Sequence, residues 1–168
     1  MNSKEVNHEN IKPDRIEKNV KPMLIAGISR ESAFDEGLVN APVQWEEFGS
    51  FIGKIPGQID NIAYGLCFDM NNGQGIEYVT GVEVSDAKKL PENFITKKLP
   101  SFDYAIFQHK GHVSGIPQTC DVIWKEWIPK TKFEKPEESD FFFFERYGEE
   151  FDPETGTGDI EIWVPVKT

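Results

Sequence analysis

Aromatic residues recur along this chain at one fixed spacing: Trp45 and Trp124, Phe48 and Trp127, Tyr64 and Phe143, and Phe68 and Tyr147 are each 79 positions apart. A repeat of this kind constrains the fold strongly, because whatever unit the first half builds the second half builds again. Towards the end the spacing becomes 84, matching Ile76-Glu77 with Ile160-Glu161 and Val79 with Trp163, so the last loop of the second half is five residues longer.

Local patterns give the content of the unit. Met23 to Ile28, MLIAGI, is a short apolar run preceded by Pro22 and suits a buried strand. From Ala41 to Ile52 the residues Trp45, Phe48, Phe51 and Ile52 recur three to four positions apart, with Pro42 suited to a first turn, which predicts a helix. Asn61 to Phe68 alternates large and small residues as a strand does, and the NNGQG turn from Asn71 leads into a second strand, Ile76 to Val84. After a linker containing Pro91, the order restarts with a strand at Phe102 to His109 and a helix from Ile116 to Trp127. Strands at Phe141 to Tyr147 and Ile160 to Val166 complete the second unit. Residues 1–21 are polar and carry no periodicity, so most of them read as a loose arm. The chain divides into this arm and one domain over 22–168, with repeats at about 22–86 and 100–168.

Within the second unit one residue breaks the pattern. Phe141 to Tyr147 reads FFFFERY, and period-two alternation puts Glu145 on the face of Phe141, Phe143 and Tyr147. A carboxylate on an aromatic wall is costly unless it is paired or protonated. Subtracting 79 places Leu66 opposite it in the first half, so Glu145 is a charge in an otherwise apolar position, and Trp163 likewise replaces Val79. The plain alternative is a structural glutamate held by an arginine, a lysine or a backbone donor. For Trp45, Phe48, Trp124 and Trp127 the plain reading is core packing.

Composition narrows the partners. A formal net charge of -11 opposes a phosphate-backbone ligand, because nonspecific nucleic-acid affinity needs clustered lysine and arginine. Cys67 and Cys120 show no disulfide or zinc spacing, and His109 and His112 have no carboxylate at ligand distance in sequence. The acidic loop from Glu149 to Asp159 lacks the alternating register of a calcium loop. No metal and no cofactor is expected. No apolar run reaches membrane-spanning length and no secretory leader is evident, which makes a cytoplasmic protein the expectation.

IAGISR (Ile25 to Arg30), YGLCFD (Tyr64 to Asp69), YAIFQHKGH (Tyr104 to His112), WIP (Trp127 to Pro129), FERY (Phe144 to Tyr147) and EIWVPV (Glu161 to Val166) occur in that order. In order and spacing they resemble the GyrI-like small-molecule-binding domains, which also serve as effector-binding domains of AraC-type and multidrug-sensing MerR-type transcription regulators. The resemblance implies an α+β fold of duplicated strand-helix-strand-strand units. Their strands form one antiparallel sheet, with helices and a cleft between pseudo-twofold halves. It also implies a buried glutamate facing a cationic ligand clasped by aromatic rings. Glu145 matches that glutamate, Trp163 and Tyr64 match motif aromatics, and Trp45, Phe48 and Tyr147 fall near the cleft by phase.

With about twenty polar residues before the first strand, a stand-alone member without its own DNA-binding region is expected. The leading expectation is a non-enzymatic binder of lipophilic cations, acting by sequestration or by sensing through a protein partner, with no direct contact to nucleic acid or membrane. Two alternatives follow from the same resemblance: a hydrolase of electrophilic small molecules using Glu145 as acid or base, and a protein interaction module such as a gyrase inhibitor. A homodimer is the general expectation for an oligomer.

Overall fold

The computed structural model describes residues 11–33, 40–70, 73–136 and 139–168. The first ten residues of the N-terminal arm, and Asn71 and Asn72 of the expected hairpin turn, lie outside the described residues. Among the described residues eight strands form: β1 (Arg15–Val20), β2 (Met23–Ala33), β3 (Gln58–Met70), β4 (Gly75–Val84), β5 (Ile95–Leu99), β6 (Phe102–His109), β7 (Phe141–Tyr147) and β8 (Ile160–Val166). Two helices interrupt them, α1 (Ala41–Gly49) between β2 and β3, and α2 (Ile116–Val122) between β6 and β7. All strand pairs are antiparallel, and the sheet order is β1-β6-β8-β7-β3-β4-β2-β5. The fold is α+β, as the motifs imply.

The sheet has two differently filled faces. On one lie Tyr64, Leu66, Phe68, Val79, Tyr104, Phe141, Phe144 and Trp163, all buried. The rings of Phe102 in β6 and Phe141 in β7 stack with centroids 5.9 Å apart although β8 runs between their strands. Flat spacing of two strand intervals would hold them about 9–10 Å apart. The sheet therefore curls around this face into a half-barrel whose interior is packed with rings. A glycine pair, Gly27 against Gly81, brings β2 and β4 close: a Cβ on Gly27 would lie 1.8 Å from the Thr80 carbonyl oxygen.

The other face carries both helices. Pro42 occupies the first turn of α1, and Gln44 and Phe48, one turn apart, are its buried residues. Gln44 is almost fully enclosed and donates from Nε2 to the backbone oxygens of Ile28 and Tyr78, both at 2.9 Å, pinning α1 to β2 and β4. Beyond α2 the chain makes one π turn, Ile123–Trp127, closed by the Ile128 amide on the Ile123 oxygen at 2.9 Å. With Trp124 and Trp127 both turned inward, Trp124 meets Phe143 and Trp127 meets Phe107, with ring centroids 5.1 and 5.0 Å apart.

Three expectations change. Part of the arm is a strand: β1 adds to β6, with Ile16 and Val20 half-buried. An edge strand needs apolar residues on only part of one face, so its charges hid it. The Pro91 linker likewise ends in a strand, β5, at the opposite edge. Finally, Phe141 does not share the face of Glu145. The register between β3 and β7 shifts by one residue, from Cys67 opposite Phe143 to Phe68 opposite Phe141, leaving Phe142 as a β-bulge. The bulge turns Phe141 into the half-barrel while Phe143, Glu145 and Tyr147 stay on the helix side.

Candidate functional site

Glu145 is 2% exposed and sits in the middle of the sheet on the helix side. Its Oε1 accepts two hydroxyls, from Tyr78 at 2.6 Å and from Tyr147 at 2.8 Å. Trp45 of α1 donates its indole N–H to the Tyr78 oxygen at 2.8 Å and meets the Tyr147 ring edge to face at 5.0 Å. On its other side Tyr147 meets Phe151, from the β7–β8 loop, at 4.9 Å. Each partner comes from a different element, so the site exists only once α1, β4 and β7 are assembled.

Gly65 makes the arrangement sterically feasible. It lies directly opposite Glu145 in the β3–β7 ladder, and the Tyr78 ring reaches over it from β4. A Cβ at this position would lie 2.3 Å from the Tyr78 hydroxyl and 2.7 Å from Glu145 Oε1, closer than real Cβ atoms come to such neighbours. Any side chain here would push acid and tyrosine apart.

Burial holds the Glu145 carboxyl above its ordinary range, and the two tyrosine hydrogen bonds oppose part of that rise. Burial next to this acid also raises Tyr78 and Tyr147, while the Cys67 thiol is pushed up to about 12. Among the described residues no lysine, arginine or histidine forms an ion pair with Glu145. The plain alternative of a salt-bridged structural glutamate therefore does not describe it. It is an acid held by neutral donors under aromatic rings.

The structure divides the residues that the sequence grouped. Glu145, Tyr147 and Trp45 come together. Phe48 stands behind Trp45, 6.1 Å from it, in the core beneath α1 with Ile28, Ile55 and Val82. Tyr64 and Trp163 are on the opposite face: Tyr64 meets Phe144 edge to face at 5.3 Å, and Trp163 stacks on Phe144 at 5.2 Å, inside the half-barrel. Arg15 lies 5.7 Å above the Trp163 ring, and the indole N–H of Trp163 reaches Glu161 at 3.1 Å. These two aromatics cannot wall a cleft whose floor is Glu145.

Strand pairing also replaces the internal counterpart of Glu145. Tyr78 matches Ile162 at the 84-residue spacing. Cys67 pairs with Tyr78, and Glu145 with Ile162, so the counterpart is Cys67 rather than Leu66. The odd spacing of 79 crosses from one sheet face to the other within this strand pair, and the even spacing of 78 does not. Tyr78 and Gly65 were missed. The signal for Tyr78 was present, since the same comparison sets a tyrosine hydroxyl against Ile162.

The curled antiparallel sheet with both helices on one face is an α+β fold shared with solved relatives. The chain belongs to the GyrI-like small molecule binding domain family, which it matches over residues 16–167. The transcriptional regulator BrlR of Pseudomonas aeruginosa is 27% identical over 124 residues, which cover 73% of this chain and 44% of that protein, so the chain matches less than half of that relative. Two solved structures share the fold. One is a transcription regulation protein of Staphylococcus aureus MU50, with TM-score 0.66, 19% identity, and coverage of 92% of this chain and 97% of that one. The other is SAV2435 bound to tetraphenylphosphonium, with TM-score 0.68, 18% identity, and coverage of 91% and 93%. Among the described residues no helix is long and apolar enough to cross a membrane.

Proposed function

We propose that this domain binds amphipathic organic cations, with Glu145 as the counter-charge and Trp45 and Tyr147 as aromatic walls. Its role is sequestration of such compounds, or sensing of them through a protein partner. The observation that carries this reading is the buried carboxyl of Glu145, which has two neutral hydroxyl donors and, among the described residues, no cation of its own. A lipophilic cation supplies the missing charge without requiring a directional partner, and each ring face adds about 0.5–2 kcal/mol of cation-π attraction. Support comes from the structural relative solved with tetraphenylphosphonium.

Entry has a cost. Trp45 is half-buried, with its N–H on Tyr78, and a ligand reaches Glu145 once that indole swings aside. Desolvation of both charges and loss of the indole bond offset much of the attraction, which places affinity in the micromolar range rather than the nanomolar. Titration with tetraphenylphosphonium, followed by tryptophan fluorescence, tests the reading. Glu145→Gln is expected to weaken binding by about tenfold or more, the equivalent of roughly 1.4 kcal/mol. Trp163→Phe, inside the half-barrel, is expected to leave affinity unchanged. Equal affinity of wild type and Glu145→Gln would remove the counter-charge role.

A further inference from the structure

The two oxygens of Glu145 are not equivalent. Oε1 receives both tyrosine hydroxyls, and among the described residues no cation pairs with either oxygen. The surroundings can be named element by element. β4 supplies Tyr78, β7 supplies Tyr147, and β3 and α2 supply Cys67 and Cys120, whose thiols both feel the charge of Glu145. α1 supplies the Trp45 indole through Tyr78. The neighbouring Arg146 is engaged elsewhere, 3.6 Å from Glu161.

An anion at this position is 2% exposed and has neutral donors but, among the described residues, no counter-charge, a state that costs several kcal/mol in an apolar interior. The acid form avoids that cost. A bound cation removes it by a different route, supplying the charge that the proton otherwise supplies. Resting on the cation-binding reading above, we propose that the site exchanges one proton for one cation: Glu145 is a carboxylic acid when empty and a carboxylate when occupied. On binding, the O–H bond of the acid breaks, its electron pair stays on the carboxylate, and the proton passes to water. The net charge of the enclosed volume is the same before and after.

The exchange defines which ligands the site takes. Permanent organic cations and protonated amines both qualify, each with release of one proton, whereas uncharged isosteres release none. The neighbouring groups do not confuse the readout. Both tyrosines and both thiols are held above their ordinary values, so they stay neutral while Glu145 titrates.

Calorimetric titration with tetraphenylphosphonium from about pH 5 to about pH 8 tests the proposal. Affinity is expected to rise about tenfold per pH unit while Glu145 is an acid, and then to level off. On the rising limb, parallel titrations in phosphate and in Tris, buffers with different heats of ionisation, are expected to count one proton released per cation. Glu145→Gln has the shape of the acid and cannot ionise, so its residual binding should be independent of pH and release no proton. Tyr78→Phe removes a hydrogen bond to the carboxylate and should move the levelling point to higher pH, a shift that loss of packing alone does not produce. Glu145-dependent binding whose affinity is flat across the whole range overturns the exchange and leaves the cation reading standing. Equal binding by wild type and Glu145→Gln removes the cation reading, and the exchange with it.

Discussion

Glu145 and Gly65 are a matched pair in which one residue's charge requires the other's missing side chain. Gly65→Ala forces a methyl against the Tyr78 hydroxyl and Glu145 Oε1. Overpacking of this kind costs about 1–3 kcal/mol, and the variant is expected to lose both thermal stability and cation affinity. Glu145→Gln should separate those two properties. Because the folded carboxyl is held above its unfolded value, its contribution to stability is present below about pH 4.5 and is lost as pH rises through the folded value. Wild-type stability should therefore decline across that window, while the glutamine variant, neutral throughout, declines less. At neutral pH Glu145→Gln is expected to melt about 2–4 °C higher, the shift given by roughly 1 kcal/mol in a chain of this length, even as it loses the ligand. A melting temperature below wild type at neutral pH would contradict a Glu145 carboxyl held above its ordinary range by burial. Glu145 was legible in the sequence because a charge inside FFFFERY breaks an apolar pattern. Tyr78 was legible only through the 84-residue spacing that sets it against Ile162, because a tyrosine in an alternating strand breaks no pattern of its own. Its role comes from a reach across Gly65 that only the folded ladder shows.

The strands and helices were readable largely because their apolar periods are clean: β6, β7 and β8 fall at the expected bounds, and β3 is longer than expected at both ends. Which way each side chain points was less readable. A single extra residue, Phe142, reverses the face of Phe141, and pure alternation carries no mark of a bulge. Tyr64 and Trp163 were set beside Glu145 by the motif positions they match, although they lie in the half-barrel. On the helix side, the position of Trp45 depends on Gln44, whose amide holds α1 to two strands at once. Gln44→Leu keeps the volume and removes both hydrogen bonds, so a loss of about 1–2 kcal/mol is expected in chemical denaturation. If α1 is what sets Trp45 over the acid, the same variant should also weaken tetraphenylphosphonium binding while Glu145 and its tyrosines are intact. Unchanged affinity in a measurably destabilised Gln44→Leu would show that α1 does not position the site.

The sheet order reads alike from both edges once elements are matched by place: β5-β2-β4-β3 on one side and β1-β6-β8-β7 on the other. Its edge strands are exchanged. β1 leads into β2 but pairs with β6, and β5 leads into β6 but pairs with β2. The exchange is reciprocal at residue level, since Val20 pairs with Phe102 and Leu99 with Met23, each pair related to the other by the 79-residue spacing. No sequence pattern announces such a connection, because a short edge strand with charged residues looks like linker in both places. Its energetic consequence belongs to the whole chain: each half is closed by a strand from the other, so neither half can open without uncovering its partner. Denaturation is therefore expected as one transition, with fluorescence and circular dichroism coincident. Deleting residues 1–22 separates this account from that of a loose arm. Removal of β1 strips the Arg15–Glu161 ion pair and exposes the β6 edge at Tyr104, Ala105 and Ile106. The expected result is a fall in melting temperature of roughly 5 °C or more, with faster amide exchange concentrated in β6 and β8, the strands farthest from β2 in the half that loses its clasp. An arm without structural role would leave both measurements unchanged.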